Sequence, residues 1–156
     1  MLLCSQLASS QNVFSVSVNG GLGKGEKNYG SAINANLGLE FNTISLNTSY
    51  VYAELNNINS DLSFDLNKYS VTIGYTISSY QKKFKLNGNV GPSLLNYRTS
   101  NGTNVNVGLD FGLTLSCSLI NSLNLEMNVV NTLNNTTSNF VQTYIGFRYD
   151  IYDNKN

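Results

Sequence analysis

The sequence predicts an all-β protein, an eight-stranded antiparallel up-and-down transmembrane β-barrel. Three observations support this fold class. Apolar and polar residues alternate with period two along most of the chain, charged residues make up only 12% of the 156 residues, and aromatic residues gather toward the ends of the alternating segments. Period-two alternation places successive side chains on opposite faces of a strand, a pattern that no helix produces.

Composition limits what else the chain can be. Apolar residues make up 41%, enough for one core, and nine Lys and Arg balance nine Asp and Glu, so no basic surface for nucleic acid is expected. No run approaches the roughly 18 consecutive apolar residues of a spanning helix. The absence of His excludes Ser-His-Asp, Cys-His and His-based metal chemistry. We therefore predict no enzyme, no cofactor and no metal site.

The clearest strand covers residues 104–119. One face carries Val105, Val107, Leu109, Phe111, Leu113, Leu115, Cys117 and Leu119. The other face carries Asn104, Asn106, Gly108, Asp110, Gly112, Thr114, Ser116 and Ser118. This segment is therefore a strand with one apolar and one polar face.

Equivalent segments predict eight strands, over 12–21, 29–41, 44–55, 67–78, 83–97, 104–119, 122–132 and 140–152. Tight turns are expected near Asn42, Ser79 and Asn121, and longer loops rich in Gly, Asn and Ser over 22–28, 56–66, 98–103 and 133–139. Ten to twelve residues at about 3.3 Å each, tilted by about 40°, rise roughly 25 Å, the height of a lipid-facing band. Pro92 is a misfit, since proline removes a ladder hydrogen bond, and predicts a bulge or irregularity at Gly91-Pro92.

The polar face is assigned to the lumen because its residues are small and uncharged. It reads Asn34, Asn36, Gly38, Ser45, Asn47, Ser49, Asn87, Asn89, Gly91, Ser93, Asn124, Glu126 and Asn128. A solvent-facing sheet would carry Lys and Glu there. Aromatic side chains near both strand ends are typical of interfacial girdles, although β-propensity alone also favours them. They are Phe14, Phe41, Tyr75, Phe84 and Tyr149 at one rim and Tyr29, Tyr50, Tyr52 and Tyr69 at the other.

Five charged residues have inward parity: Glu40, Lys85, Asp110, Glu126 and Arg148. A buried charge must be paired or hydrated. We predict a pair between Glu126 and Arg148, with Lys85 and Glu40 completing a polar network in the lumen. The network either gates the lumen or only satisfies its own charges in an inert anchor. Three surface carboxylates, Glu54, Asp61 and Asp65, are interpreted as hydrated groups.

The two ends stand outside the alternating pattern. Residues 1–11, MLLCSQLASSQ, are interpreted as the remnant of a signal peptide, with a disordered start as the alternative. Residues 12–152 form the barrel domain and 153–156 a polar tail. Cys4 and Cys117 lie in such different contexts that no disulfide is expected.

From about residue 12 to 152 the chain resembles the small outer-membrane barrels of the OmpA and OmpX type. The resemblance lies in the strand pattern and in the alternating aromatic final strand, 144–152. It implies a bacterial outer-membrane protein, inserted by the barrel-assembly machinery. Comparable barrels have an internal ion network that plugs the lumen and has been discussed as a gate.

We therefore expect a monomeric structural anchor or a narrow, plugged pore, surrounded by outer-membrane lipid. Its loops are expected to contact surface polymers or host molecules. Two alternatives remain open at this point. A soluble lipocalin-like barrel would carry a hydrophobic ligand and would need the apolar face inside. A surface β-sandwich would leave two sheet edges to protect.

Overall fold

The computed structural model describes residues 12–60, 62–79, 83–99, 102–120, 122–134 and 139–152. The strands are β1 (Asn12–Lys24), β2 (Asn28–Phe41), β3 (Ile44–Asn57), β4 (Ser63–Ser78), β5 (Phe84–Thr99), β6 (Gly102–Ile120), β7 (Leu123–Asn134) and β8 (Phe140–Tyr152). Each strand pairs antiparallel with the next, and β1 pairs with β8, so the sheet is a closed up-and-down barrel. The predicted fold class is confirmed, and a β-sandwich is excluded. Within the described ranges, no helix is long and apolar enough to cross a membrane.

Some sequence predictions concern residues outside those ranges. The interpretation of 1–11 as a signal remnant, the polar tail 153–156, Cys4 and Asp61 all lie there. Cys117 is described, and its thiol is free.

The strands extend beyond their predicted ends, into segments predicted as loops. β4 begins at Ser63, and β1 continues to Lys24. The Gly-, Asn- and Ser-rich ends still pair in register, with Asn28 opposite Asn57 and Thr99 opposite Gly102. The loop rim is therefore more compact than predicted, because pairing with a neighbouring strand outweighs the low β-propensity of these residues.

The turn between β2 and β3 shows how the predicted tight turns form. Only Asn42 and Thr43 separate Phe41 from Ile44, which lie opposite each other. Asn42 has a φ of 58°, in the left-handed region that Asn tolerates better than most residues. The tight turn predicted here is confirmed.

Pairing between β4 and β5 is interrupted at Pro92. Ser70 pairs with Ser93 and Ile73 with Val90, while the two positions between them have no partners in this ladder. The register is the same on both sides, so the proline interrupts the ladder without creating a bulge. A Cβ on Gly91 would lie 2.0 Å from the carbonyl oxygen of Val71, so only glycine fits where the β4 backbone comes this close. The described part of the sheet does shift register elsewhere, between Ser118 and Ile120.

The two faces of the sheet have opposite polarity. Large apolar side chains point outward, and Val18, Ile33 and Ile77 are each about 60% exposed. The inward side chains near the short-turn rim are small, polar and buried: Ser15, Ser17, Asn19, Asn34, Ser45, Thr72, Thr76, Ser116, Asn124 and Asn128. The predicted orientation, apolar outside and polar inside, is confirmed over this part of the barrel.

Toward the loop rim this polarity reverses on three consecutive strands. On these strands, β3 to β5, the inward residues Val51, Ala53, Leu55, Leu66 and Leu95 form a buried apolar cluster together with Ala32 of β2 and with Phe140 and Tyr144 of β8. The outward neighbours on the same strands are polar, namely Glu54, Asp65, Asn67, Asn96 and Arg98. The sequence analysis predicted a polar lumen throughout and missed this apolar cluster, here called the upper plug.

The outward apolar surface predicts that the cost of a charged substitution depends on its depth along the outer wall. Leu113 lies in the middle of the outward face of β6 and is 52% exposed. If that face contacts lipid, Leu113→Arg should lower the free energy of unfolding in lipid vesicles by about 2–4 kcal/mol. Thr103→Arg, on the same face but at the loop rim, is the matched control and should cost about 1 kcal/mol or less. Denaturant titrations followed by circular dichroism measure both, and equal costs would contradict a lipid-facing wall.

Candidate functional site

The candidate site is the lumen, where ionisable side chains lie in two layers. The lower layer lies toward the short-turn rim and contains Glu40, Lys85, Glu126, Arg148 and Asp150. The upper layer, beneath the upper plug, contains Lys68 and Asp110. Of the five residues predicted from sequence, four therefore lie together, and Asp110 belongs to a separate pair.

Glu40 is the centre of the lower layer. Its Oε2 lies 3.1 Å from Lys85 Nζ and 3.1 Å from Arg148 Nη2, so one carboxylate binds cations from β5 and β8. Glu126, the predicted partner of Arg148, is farther away, with 3.8 Å between Glu126 Oε1 and Arg148 Nη1. Arg148 is held mainly by Glu40 and by Asp150, two residues along its own strand.

Asp150 is a member of the layer that sequence analysis missed. It is 2% exposed, accepts a hydrogen bond from Asn124 Nδ2 at 3.0 Å and lies 4.0 Å from Lys85 Nζ. Its position two residues from Arg148 gives it the same inward parity, so the alternation rule identifies it.

The upper layer joins opposite walls of the barrel. Lys68 Nζ, on β4, lies 2.9 Å from Asp110 Oδ2 on β6, and both side chains are 2% exposed. The ammonium also donates hydrogen bonds to Thr132 Oγ1 at 3.0 Å and to Gln142 Oε1 at 2.6 Å, on β7 and β8. Thr132 in turn donates to Asp110 at 2.8 Å. Lys68 shares the parity of Ser70 and Thr72, so this residue too could have been found from the alternation.

The lumen contains little free space around these layers. A cavity of about 60 Å³ runs between them, lined by Glu40, Lys68, Asp110, Glu126 and Arg148 among others. A second, wider space of about 450 Å³ opens at the loop rim, lined by Leu55, Phe64, Tyr97 and Phe140 together with polar residues. The two spaces share no lining residue, because the upper plug separates them.

On the outer wall, two of the three surface carboxylates lie side by side. Glu54 and Asp65 are cross-strand neighbours, and the Tyr52 hydroxyl donates to both, at 3.1 and 3.3 Å. The third, Asp61, lies outside the described residues.

A closed eight-stranded antiparallel barrel with a polar, ion-paired lumen and an apolar outer wall is the fold of the small outer-membrane barrels. Solved structures of this class superpose on the chain along nearly its whole length. Neisserial surface protein A is 13% identical with a TM-score of 0.64, over 92% of this chain and 98% of its own. Ail, the attachment invasion locus protein of Yersinia pestis, is 15% identical with a TM-score of 0.63, over 92% and 99%.

The N-terminal β-barrel domain of Pseudomonas aeruginosa OprF is 11% identical with a TM-score of 0.69, over 92% of this chain and all of that domain. No protein-family model matches the sequence. No curated protein matches it either. The resemblance expected from the strand pattern is confirmed at the level of fold.

The buried pair of the upper layer makes a prediction about stability. Asp110→Asn leaves the Lys68 ammonium buried without its counter-charge, so we expect the free energy of unfolding to fall by about 3–5 kcal/mol. Replacing both residues, Lys68→Met with Asp110→Leu, removes both charges and should recover most of that loss. Asp65→Asn on the outer wall is the control, with a change of about 0.5 kcal/mol or less. A double variant as unstable as Asp110→Asn would contradict an unpaired charge as the cause.

Proposed function

We propose that this chain is an integral protein of a bacterial outer membrane, a structural barrel whose lumen is closed. The observation that carries this proposal is the inverted polarity of the sheet, with apolar side chains such as Val18 and Ile33 exposed outside and Ser, Asn and ion pairs inside. A ring of exposed apolar residues is stable only in an apolar solvent, and lipid is that solvent. The apolar wall also supports a monomer, since lipid can cover it completely.

Two barriers support a closed lumen rather than an open pore. The upper plug blocks the loop half, and the ion-paired layers occupy the rest, leaving about 60 Å³ of space between side chains. Eight strands enclose a lumen just wide enough for side chains to fill. A steady water-filled path through the barrel would therefore require Phe140, Leu66 and Leu95 to move together.

A soluble carrier of hydrophobic ligands is not favoured. Such a carrier would need a large apolar cavity and a charged outer surface. Here the enclosed space of the lower lumen is polar and small, and the exposed wall is apolar.

The outer face of β8 supports insertion by the barrel-assembly machinery. Its outward residues, Ile145, Phe147, Tyr149 and Ile151, are between 47% and 56% exposed and form an unbroken apolar row. The strand that closes the barrel against β1 therefore has an outward row that stays apolar up to Ile151.

The balanced charges at the loop rim favour a structural anchor over a receptor for polyanions. Ail has been solved in complex with the heparin analogue sucrose octasulfate. In this chain the described residues at the rim balance Lys24, Lys27 and Arg98 against Glu26, Glu54 and Asp65. Contacts with surface polymers or host molecules would therefore depend on uncharged Asn and Ser side chains. We propose no catalytic role, since the sequence contains no His and the central carboxylate of the lower layer, Glu40, is engaged with Lys85 and Arg148.

Refolding tests the membrane assignment directly. Denatured chain diluted into detergent micelles should become β-rich by circular dichroism and should migrate differently on gels when boiled and unboiled. Dilution without detergent should give no monodisperse fold, because the exposed apolar wall then faces water. A stable, monodisperse β-fold in detergent-free buffer would overturn the assignment.

Conductance tests the closed lumen. Folded barrel inserted into planar bilayers should show no steady current, whereas Phe140→Ala combined with Leu66→Ala, which thins the upper plug, should raise the frequency of brief openings. Leu113→Ala, on the outer wall, is the control and should leave the current unchanged. Steady conductance by the unmodified barrel would show that the lumen is open.

A further inference from the structure

Four neighbouring strands contribute a row of cross-strand partners at the upper edge of the lower layer, and this row includes Glu126. Across β2, β1, β8 and β7 the cross-strand partners are Asn34, Asn19, Gly146 and Glu126. Gly146 contributes no side chain, and a Cβ there would lie 2.4 Å from Asn19 Oδ1, so this amide occupies the space above the glycine. The row therefore contains two amide groups and one carboxylate, of which Asn34 and Glu126 line the same cavity.

Four side-chain oxygen atoms in or beside this row have no hydrogen-bond donor. Asn19 Oδ1, Asn34 Oδ1 and Glu126 Oε2 are all buried without a partner, as is Asn36 Oδ1 on β2. Ser17, Ser116 and Asn128 lie near the Glu126 carboxylate. Ser116 Oγ donates to Oε1 at 3.3 Å, whereas Oε2 has no donor in hydrogen-bonding geometry. Glu126 is 3% exposed and Asn34 7%. Buried acceptors of this kind are costly unless something satisfies them.

With all of its carboxylates ionised, the same region carries one uncompensated negative charge. The lower layer has three carboxylates, Glu40, Glu126 and Asp150, against the two cations Lys85 and Arg148, whereas the upper layer has one of each. Glu126 receives the least compensation, because Arg148 reaches it only at 3.8 Å while contacting Glu40 at 3.1 Å. One negative charge therefore remains, at the carboxylate whose second oxygen has no donor.

There is room at this place for a small occupant. Asn34, Asn36 and Glu126 line the cavity of about 60 Å³. One water needs about 10–15 Å³ measured in this way, so a cation with a few waters fits. Two other unpartnered groups of the cavity lining, Gln142 Nε2 and the Tyr144 hydroxyl, are donors that such waters would satisfy.

We propose that the lumen binds one monovalent cation of the Na⁺ class, coordinated by Glu126 Oε2 and the amide oxygens of Asn34 and Asn36, with water. Carboxylate and amide oxygens are the ligands that hard cations prefer. A single positive charge neutralises the layer, whereas a divalent ion would leave an excess of one and usually requires several carboxylates. This site depends on the closed barrel and its lumen, and is independent of which membrane holds the protein.

Stability in two salts tests the site. Barrel folded in zwitterionic detergent would be heated at constant ionic strength while NaCl replaces choline chloride, whose cation is too large for the cavity. We expect Tm to rise by about 3 °C for each tenfold increase in Na⁺ above half-saturation. Glu126→Gln should abolish this dependence, and Glu54→Gln, the same change on the outer wall, should leave it intact. Equal Tm values in NaCl and choline chloride would overturn the site.

Three further results would each contradict one part of the proposed site. A Tm that rises as pH is lowered in choline chloride and does not respond to Na⁺ would show that a proton, and no cation, neutralises Glu126. A larger shift with CaCl₂ than with NaCl would overturn the monovalent charge. If Glu126→Gln does not fold, Asn34→Leu, which keeps the volume and removes one ligand, should at least halve the slope of Tm against Na⁺. An unchanged slope in that variant would exclude Asn34 as a ligand.

Discussion

Pairing between β1 and β8 is the constraint on which the rest of the structure depends. In lipid no water satisfies backbone N–H and C=O groups, so an open sheet edge is not tolerated and the eight strands must close. Val13 to Lys24 pair with Tyr152 to Val141, which leaves no edge along β1. Closure with only eight strands makes the lumen narrow, so its inward positions hold small residues, and every inward charge needs a partner within the same cross-section.

The two halves of the barrel have opposite polarity, as the side chains of β3 show. Over the lower part of β3, Ser45 and Asn47 face inward and Ile44 and Leu46 outward, as in lipid. Beyond Tyr50 the inward residues become Val51 and Leu55, as in a soluble barrel with an apolar core. The reversal begins at two tyrosines, Tyr50 and Tyr69, whose rings lie 5.0 Å apart. Under the membrane assignment proposed above, these rings mark the outer boundary of the lipid band on β3 to β5, and the strands above them extend into water.

The strands and the inward positions could be predicted from the sequence, but the contacts between distant strands could not. The alternation identified all eight strands and the inward positions of Glu40 and Arg148, because parity depends only on residue number along one strand. The same parity holds for Lys68 and Asp150, so these residues were within reach of sequence analysis. Sequence analysis could not identify Glu40 as the common partner of Lys85 and Arg148. These contacts join non-adjacent strands and depend on the stagger of the whole barrel.

The loop lengths and the upper plug were missed for a related reason. A rule that places polar residues inside along a whole strand predicts a polar lumen throughout, whereas β3 to β5 exchange polarity toward the loop rim. Above Tyr50 the alternation continues with its polarity exchanged, so the reversal is visible in the sequence once the position of the membrane boundary is known. That position is set by the tilt and stagger of the closed sheet, which local pattern does not contain.

The contacts that Lys68 makes across the lumen help to fix the register of β4 in the barrel. From β4 it reaches Asp110, Thr132 and Gln142 on three consecutive strands of the opposite wall, residues 42 to 74 positions away in sequence. A shift of β4 by one residue would turn its ammonium onto the apolar outer wall and leave Asp110 buried without a counter-charge. The pair adds little to stability by itself when compared with apolar residues of the same volume. Its larger effect is to make a closure misregistered by one residue more costly than the native one.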